Sequence, residues 1–186
     1  MRAPVAVSLL FLIAVPLSYA QDDGASDATP QQFPCENRKE FDQFDFWVGE
    51  WDVHVANGTF AGKNKIKKMQ AGCALVENWL GASGNPGISL NYFDVSSEEW
   101  VQVWSSAGGI QIDIRGGLTE EGMLLEGTIN YVGNGTTALF RGLWTLLPDG
   151  RVRQFFEQSN DNGETWAPWF EGFYTRTSTE LSQSSN

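Results

Sequence analysis

Glu77, Gln102 and Gln154 are polar residues set among large aromatic ones, at spacings that can aim them together. Gln102 stands two positions from both Trp100 and Trp104, so on a strand all three side chains share a face. Glu77 and Trp79 share a face in the same way. Asn91 lies on the following segment with the parity of Phe93 and not of Tyr92. Arg141, with Gln154 or Glu157, could complete the polar set. A few directed polar groups in an aromatic surround make a ligand pocket. The same groups bonded to one another make a buried network that specifies the fold. Residue types alone leave both open. An acid and base pair from Glu77 and Glu157, as in glycoside hydrolysis, depends on a carboxyl separation that one sequence does not set.

Other chemistry is sparse. There is no G-x-S-x-G, H-E-x-x-H, P-loop or dinucleotide fingerprint. His54 is the single histidine and shares a strand face with Glu50 and Asp52, so it reads as a surface residue before a general base or haem ligand. No residue is assigned a catalytic role, and no cofactor or metal is expected. Cys35 and Cys73 are the two cysteines. In an oxidising compartment an even count reads as a disulfide, the alternative being two buried thiols.

These residues need elements to position them. Apolar and alternating runs fall at 46–55, 60–69, 73–80, 88–95, 100–105, 110–118, 123–131, 136–147, 151–159 and 166–177. Asn57-Gly58, Gly108-Gly109 and Asp149-Gly150 supply the turn chemistry of tight hairpins between them. Loops this short join antiparallel neighbours, since a parallel crossover takes about a dozen residues. A meander of that length leaves open edges unless it closes. The expected fold is therefore all-β, an antiparallel up-and-down barrel of about ten strands, with a short helix over 38–44 plugging one end. Lys63, Lys65, Lys67 and Lys68 read as a solvated strand edge.

The chain begins as an exported protein does. Arg2, the apolar run 5–17 and Ser18-Tyr19-Ala20 have the layout of a signal peptide over 1–20, cleaved near Ala20. That run is shorter than the ~20 residues a membrane helix takes, and no later run is long enough. A polar, disordered leader is expected over 21–34, one domain over 35–181 and a polar tail over 182–186. The destination is periplasmic or extracellular. A formal charge of −11 argues against nucleic acid as a partner. Oligomeric state is not legible.

Gly49-x-Trp51 on the first strand resembles the lipocalin signature. In lipocalin-like proteins that Trp packs at the closed end of the barrel beneath an Arg from the last strand, a part the resemblance gives to Arg176. FDFWVGEWDV (44–53), GCALVENW (72–79), SLNY (89–92), WVQVW (100–104) and DGRVRQ (149–154) are similar to an exported bacterial family of lipocalin-like (calycin) type with no established activity. SNDNGETW (159–166) resembles the Asp-box of sialidases and related propellers. There the motif is a hairpin turn, which gives Ser159, Asp161, Gly163 and Trp166 structural roles. A single copy supports a turn, not a propeller. Calcium on Asp161, Asn162 and Glu164 lacks a full ligand set.

Three readings follow. The first is a binding protein holding a small apolar or amphipathic molecule in an aromatic-lined barrel, with Glu77, Trp79, Asn91, Gln102, Trp104, Arg141, Gln154 and Glu157 as candidate contacts. The second is a carbohydrate-binding module or glycan-acting enzyme, prompted by eight tryptophans, with Trp100, Trp104, Trp144 and Trp169 as an exposed row. The third is an isomerase or cyclase using the cavity as a reaction vessel.

Overall fold

The structure, a computed structural model, describes residues 32–177. The expected signal peptide at 1–20, most of the expected leader (21–31) and the expected tail at 182–186 lie outside the described residues. Ten antiparallel strands follow one another: β1 Gly49–Val55, β2 Phe60–Met69, β3 Ala74–Gly81, β4 Pro86–Asp94 and β5 Glu99–Ser106, then β6 Ile110–Leu118, β7 Met123–Tyr131, β8 Thr136–Leu146, β9 Val152–Ser159 and β10 Ala167–Arg176. Each bonds to the next, and β1 bonds to β10 as well as to β2. The barrel is closed.

Local chemistry sets the meander. At the β1–β2 hairpin Gly58 takes φ +84° while the Asn57 side chain accepts the Thr59 amide at 3.0 Å. That is the left-handed backbone for which glycine is suited. Along β6, Ile112 and Ile114 are buried while Gln111, Asp113 and Arg115 are exposed, the period-two pattern of a wall with one dry face.

The expected terminal helix is two 3-10 turns, Lys39–Asp42 and Asp45–Trp47, continuing to the start of β1. They deliver Phe44 and Trp47 into one end of the barrel, where both are fully buried. Phe44 stacks on Trp47 at 5.0 Å and meets Trp100 and Trp144 edge-on at 5.6 and 5.3 Å. Such geometries satisfy the ring quadrupoles and fill the end with hydrocarbon. The Cys35–Cys73 disulfide spans 5.2 Å between Cα atoms and ties the segment before the plug to the start of β3.

One expectation is corrected here. β2 is bonded on both flanks, so its lysines do not guard an open edge. Lys63 pairs across to Asp52 at 2.6 Å, Lys65 to Glu50, and Lys68 reaches Asp42 and Asp45 beside the plug at 2.6 and 2.7 Å.

Candidate functional site

A belt of polar side chains crosses the barrel interior at mid-height. Inward positions of β2, β3, β4, β5, β9 and β10 supply Asn64, Glu77, Ser89 with Asn91, Gln102, Gln154 and Tyr174, all at most 4% exposed. Glu77 is its centre. The Asn64 amide donates to Glu77 Oε1 at 2.6 Å and the Ser89 hydroxyl to Oε2 at 2.6 Å. Behind Ser89, Asn91 Nδ2 donates to Ser89 Oγ at 2.8 Å, and Gln102 Nε2 donates to Asn91 Oδ1 at 2.8 Å. On the other arm Asn64 also donates to the Tyr174 hydroxyl at 3.3 Å, which in turn donates to Gln154 Oε1. Asn64 has committed its amide hydrogens, and its Oδ1 is buried without a partner.

The ends of the belt are unfinished. Among the described residues, Gln102 Oε1 and Gln154 Nε2 have no hydrogen-bond partner, one an acceptor and the other a donor. Both residues line a cavity of about 150 Å³, together with Glu77 and Tyr174. Its remaining walls are Trp79, Trp104, Ile112, Phe156, Trp169 and Phe170. Trp169 is 39% exposed, so the cavity meets solvent at that rim. The volume is comparable to the apolar cavity of about 150 Å³ known to hold benzene.

Two features of the backbone make this room. Inward glycines lie beneath the wall rings: a Cβ on Gly87 would stand 2.2 Å from the Trp104 ring, and one on Gly142 2.3 Å from Phe156. The β9–β10 register also slips between Pro168 and Phe170. Strict alternation would send Trp169 and Phe170 to opposite faces, and the bulge lets both border the cavity.

Burial raises the Glu77 carboxyl from 4.5 to about 7, against the hydrogen bonds from Ser89 and Asn64 that favour its charged form. Burial, and then the neighbouring charge of Glu77, pushes the Tyr174 hydroxyl well above its usual value. At neutral pH the belt therefore holds a carboxyl that both gains and loses its proton, beside a phenol that keeps its own.

The candidate residues divide by parity. Glu77, Trp79, Gln102, Trp104 and Gln154 border the cavity, while Asn91 is buried one bond behind it. Arg141 and Glu157 do not join them. They face each other across β8 and β9, Arg141 Nε donating to Glu157 Oε2 at 2.8 Å, one position out of phase with inward Phe140 and Phe156. The guanidinium lies 4.3 Å from the Trp166 ring, on the outer face. Glu77 and Glu157 consequently lie on opposite sides of the barrel wall and cannot flank one substrate bond. The row of four exposed tryptophans also fails, because Trp100 and Trp144 are at most 1% exposed.

Sequence reasoning misses Asn64, Ser89, Tyr174, Ile112, Phe156 and Phe170, and expects Trp169 only in an exposed row. For Asn64 the signal is present: in β2 it alternates with Lys63 and Lys65 and keeps phase with Ile66. Tyr174 keeps phase with Arg176 on β10. The Trp169 and Phe170 positions depend on the bulge, which no pattern in the sequence announces.

The structural residues have clear geometry. Arg176 lies over the Trp51 ring at 4.3 Å, opposite it in the β1–β10 register, and Trp51 Nε1 donates to Trp47 O at 3.0 Å. Gly49 opens β1 beside them. In the turn after β9, Asp161 Oδ1 accepts from Ser159 Oγ at 2.7 Å and from the Thr165 amide at 2.9 Å, and Gly163 takes φ +92°. Hydrogen bonds from the Thr165 side chain and backbone lower the Asp161 carboxyl to about 2. The loop's own donors thus engage the oxygens a cation would need. His54 is half-buried on the outer face against Phe60. Among the described residues no three His, Cys, Asp or Glu side chains are grouped to hold a metal.

No protein-family model matches the chain, and comparison with curated proteins finds no match.

Proposed function

We propose that this chain is an exported calycin-type binding protein that takes a small amphipathic molecule into the open half of its barrel. The apolar part of the ligand packs between Trp79, Trp104 and Trp169, and its polar end meets Glu77, Gln102 and Gln154. One observation carries this reading: a cavity of about 150 Å³ whose walls are aromatic and whose floor keeps Gln102 Oε1 and Gln154 Nε2 without partners among the described residues. Polar atoms left unpaired on a cavity wall are available to the polar end of a ligand. The disulfide suits an oxidising, exported setting.

The test is a titration of the mature protein with small aromatic compounds, followed by tryptophan fluorescence and calorimetry, alongside native mass spectrometry of retained molecules. Saturable binding at one site, lost when Trp104 is replaced by Ala, is expected. A barrel that retains nothing and answers no compound in the panel contradicts the reading.

A further inference from the structure

We propose that the ligand is a small organic cation, an aryl- or alkylammonium, whose charge is met by the Glu77 carboxylate. This rests on the binding function above and names the chemistry of its polar end.

The argument starts from what faces Glu77. Its two hydrogen-bond donors, Asn64 and Ser89, are both neutral. From β10 and β9 it faces Tyr174 and Gln154, and from β5 Gln102. Among the described residues, Tyr174 is the other titratable group bordering the cavity, and no Lys, Arg or His borders it. The lysines of β2 all turn away from it: Lys63 and Lys65 pair with Asp52 and Glu50, Lys67 is exposed, and Lys68 pairs with Asp42 and Asp45. A buried carboxyl at 3% exposure thus has no counter-charge of its own. Buried charges are ordinarily paired or else neutralised.

The site offers what a cation requires. A carboxylate has about four lone-pair positions. Asn64 and Ser89 occupy two, and Glu77 itself lines the cavity. Gln102 Oε1 adds a neutral acceptor with no partner among the described residues. Trp79, Trp104 and Trp169 are in the walls, and indole faces attract ammonium groups more strongly once water is excluded. The chain's charge of −11 favours approach of a cation over an anion. An anionic ligand would face the ionised Glu77 with like charge, and a neutral one would gain nothing from its ionisation.

Proton linkage then follows. Empty, the carboxyl is partly protonated at neutral pH, because burial raises it to about 7. A bound ammonium selects the ionised form, so binding releases a proton and weakens as pH falls.

The experiment compares three near-isosteres, 2-phenylethylamine, 2-phenylethanol and phenylacetate, by calorimetry between pH 5.5 and 8. The amine is expected to bind at least about tenfold more tightly than the alcohol at pH 8. That advantage should shrink toward pH 5.5, whereas the alcohol should show little pH dependence. Glu77→Gln should weaken the amine by on the order of a hundredfold and erase its advantage over the alcohol. Binding of the alcohol also reports that the variant cavity is intact, and the wild-type pH profile needs no variant at all. If the alcohol or phenylacetate binds as well as the amine, the cation assignment is overturned while the binding function stands. If none of the three binds and no other aromatic compound does, both fall.

Discussion

The two ends of this barrel use the same residue for opposite purposes. At the closed end Phe44, Trp47, Trp100 and Trp144 are at most 1% exposed and meet ring to ring at 5.0 to 5.6 Å. At the open end Trp79, Trp104 and Trp169 border a cavity. The difference lies in what faces the rings. The closed end receives the 3-10 turns of residues 39–47, which fill it from below. Among the described residues the open end receives no such segment, and its rings lie over glycines such as Gly87. An abundance of tryptophan is therefore no signal of function by itself. What signals a site is tryptophan beside missing side chains and a polar floor.

The sharpest way to break this comparison is to remove a ring of the closed end. Trp144→Ala should cost about 3–5 kcal/mol, the range for deleting a large buried aromatic. Urea unfolding would measure it, and a loss under about 1 kcal/mol would mean the closed end is not packed as described.

Next comes Glu77→Gln. The folded state holds the Glu77 proton more tightly than the unfolded chain does, so the stability linked to it is greatest below pH 4.5 and declines as pH rises to about 7. The Gln variant buries no charge. Above pH 7 it should exceed the wild type by on the order of 3 kcal/mol, a gap that closes below pH 4.5. Parallel unfolding curves for the two proteins at every pH would show that Glu77 is not buried uncompensated.

Smaller again is Gly87→Ala. Its Cβ would collide with Trp104, forcing the ring into the cavity, at a cost of about 1–3 kcal/mol. Binding of 2-phenylethanol should disappear while the fold survives thermal unfolding. Retained affinity would separate the cavity from the ligand site. Least of all, Arg141→Met breaks a half-exposed pair on the outer wall and should change stability by less than about 1 kcal/mol, with ligand affinity unchanged. A marked loss of affinity would return Arg141 to the site.

Much of the barrel was legible because hairpin turns and alternation are local. Residues 60–69, 110–118 and 123–131 are read with the strand bounds observed. Closure was an inference from edge chemistry, and the β1–β10 pairing agrees with it. The site was legible only where a polar residue interrupts an aromatic pattern, as with Gln102 between Trp100 and Trp104. Asn64 escaped because the flanking lysines made its strand look like a solvated edge. Arg141 and Glu157 misled because charge drew attention while parity, a single position, decided the face. Trp169 and Phe170 depend on a register slip, which is set by the partner strand and not by their own segment.

The most direct test of two unlike ends is fluorine NMR of protein labelled with 5-fluorotryptophan, whose eight indoles each report their own surroundings. On addition of 2-phenylethanol, the resonances of Trp79, Trp104 and Trp169 should shift while those of Trp47, Trp100 and Trp144 stay in place. Movement of the closed-end resonances with the open-end ones unmoved, or no movement at saturating compound, would contradict the account.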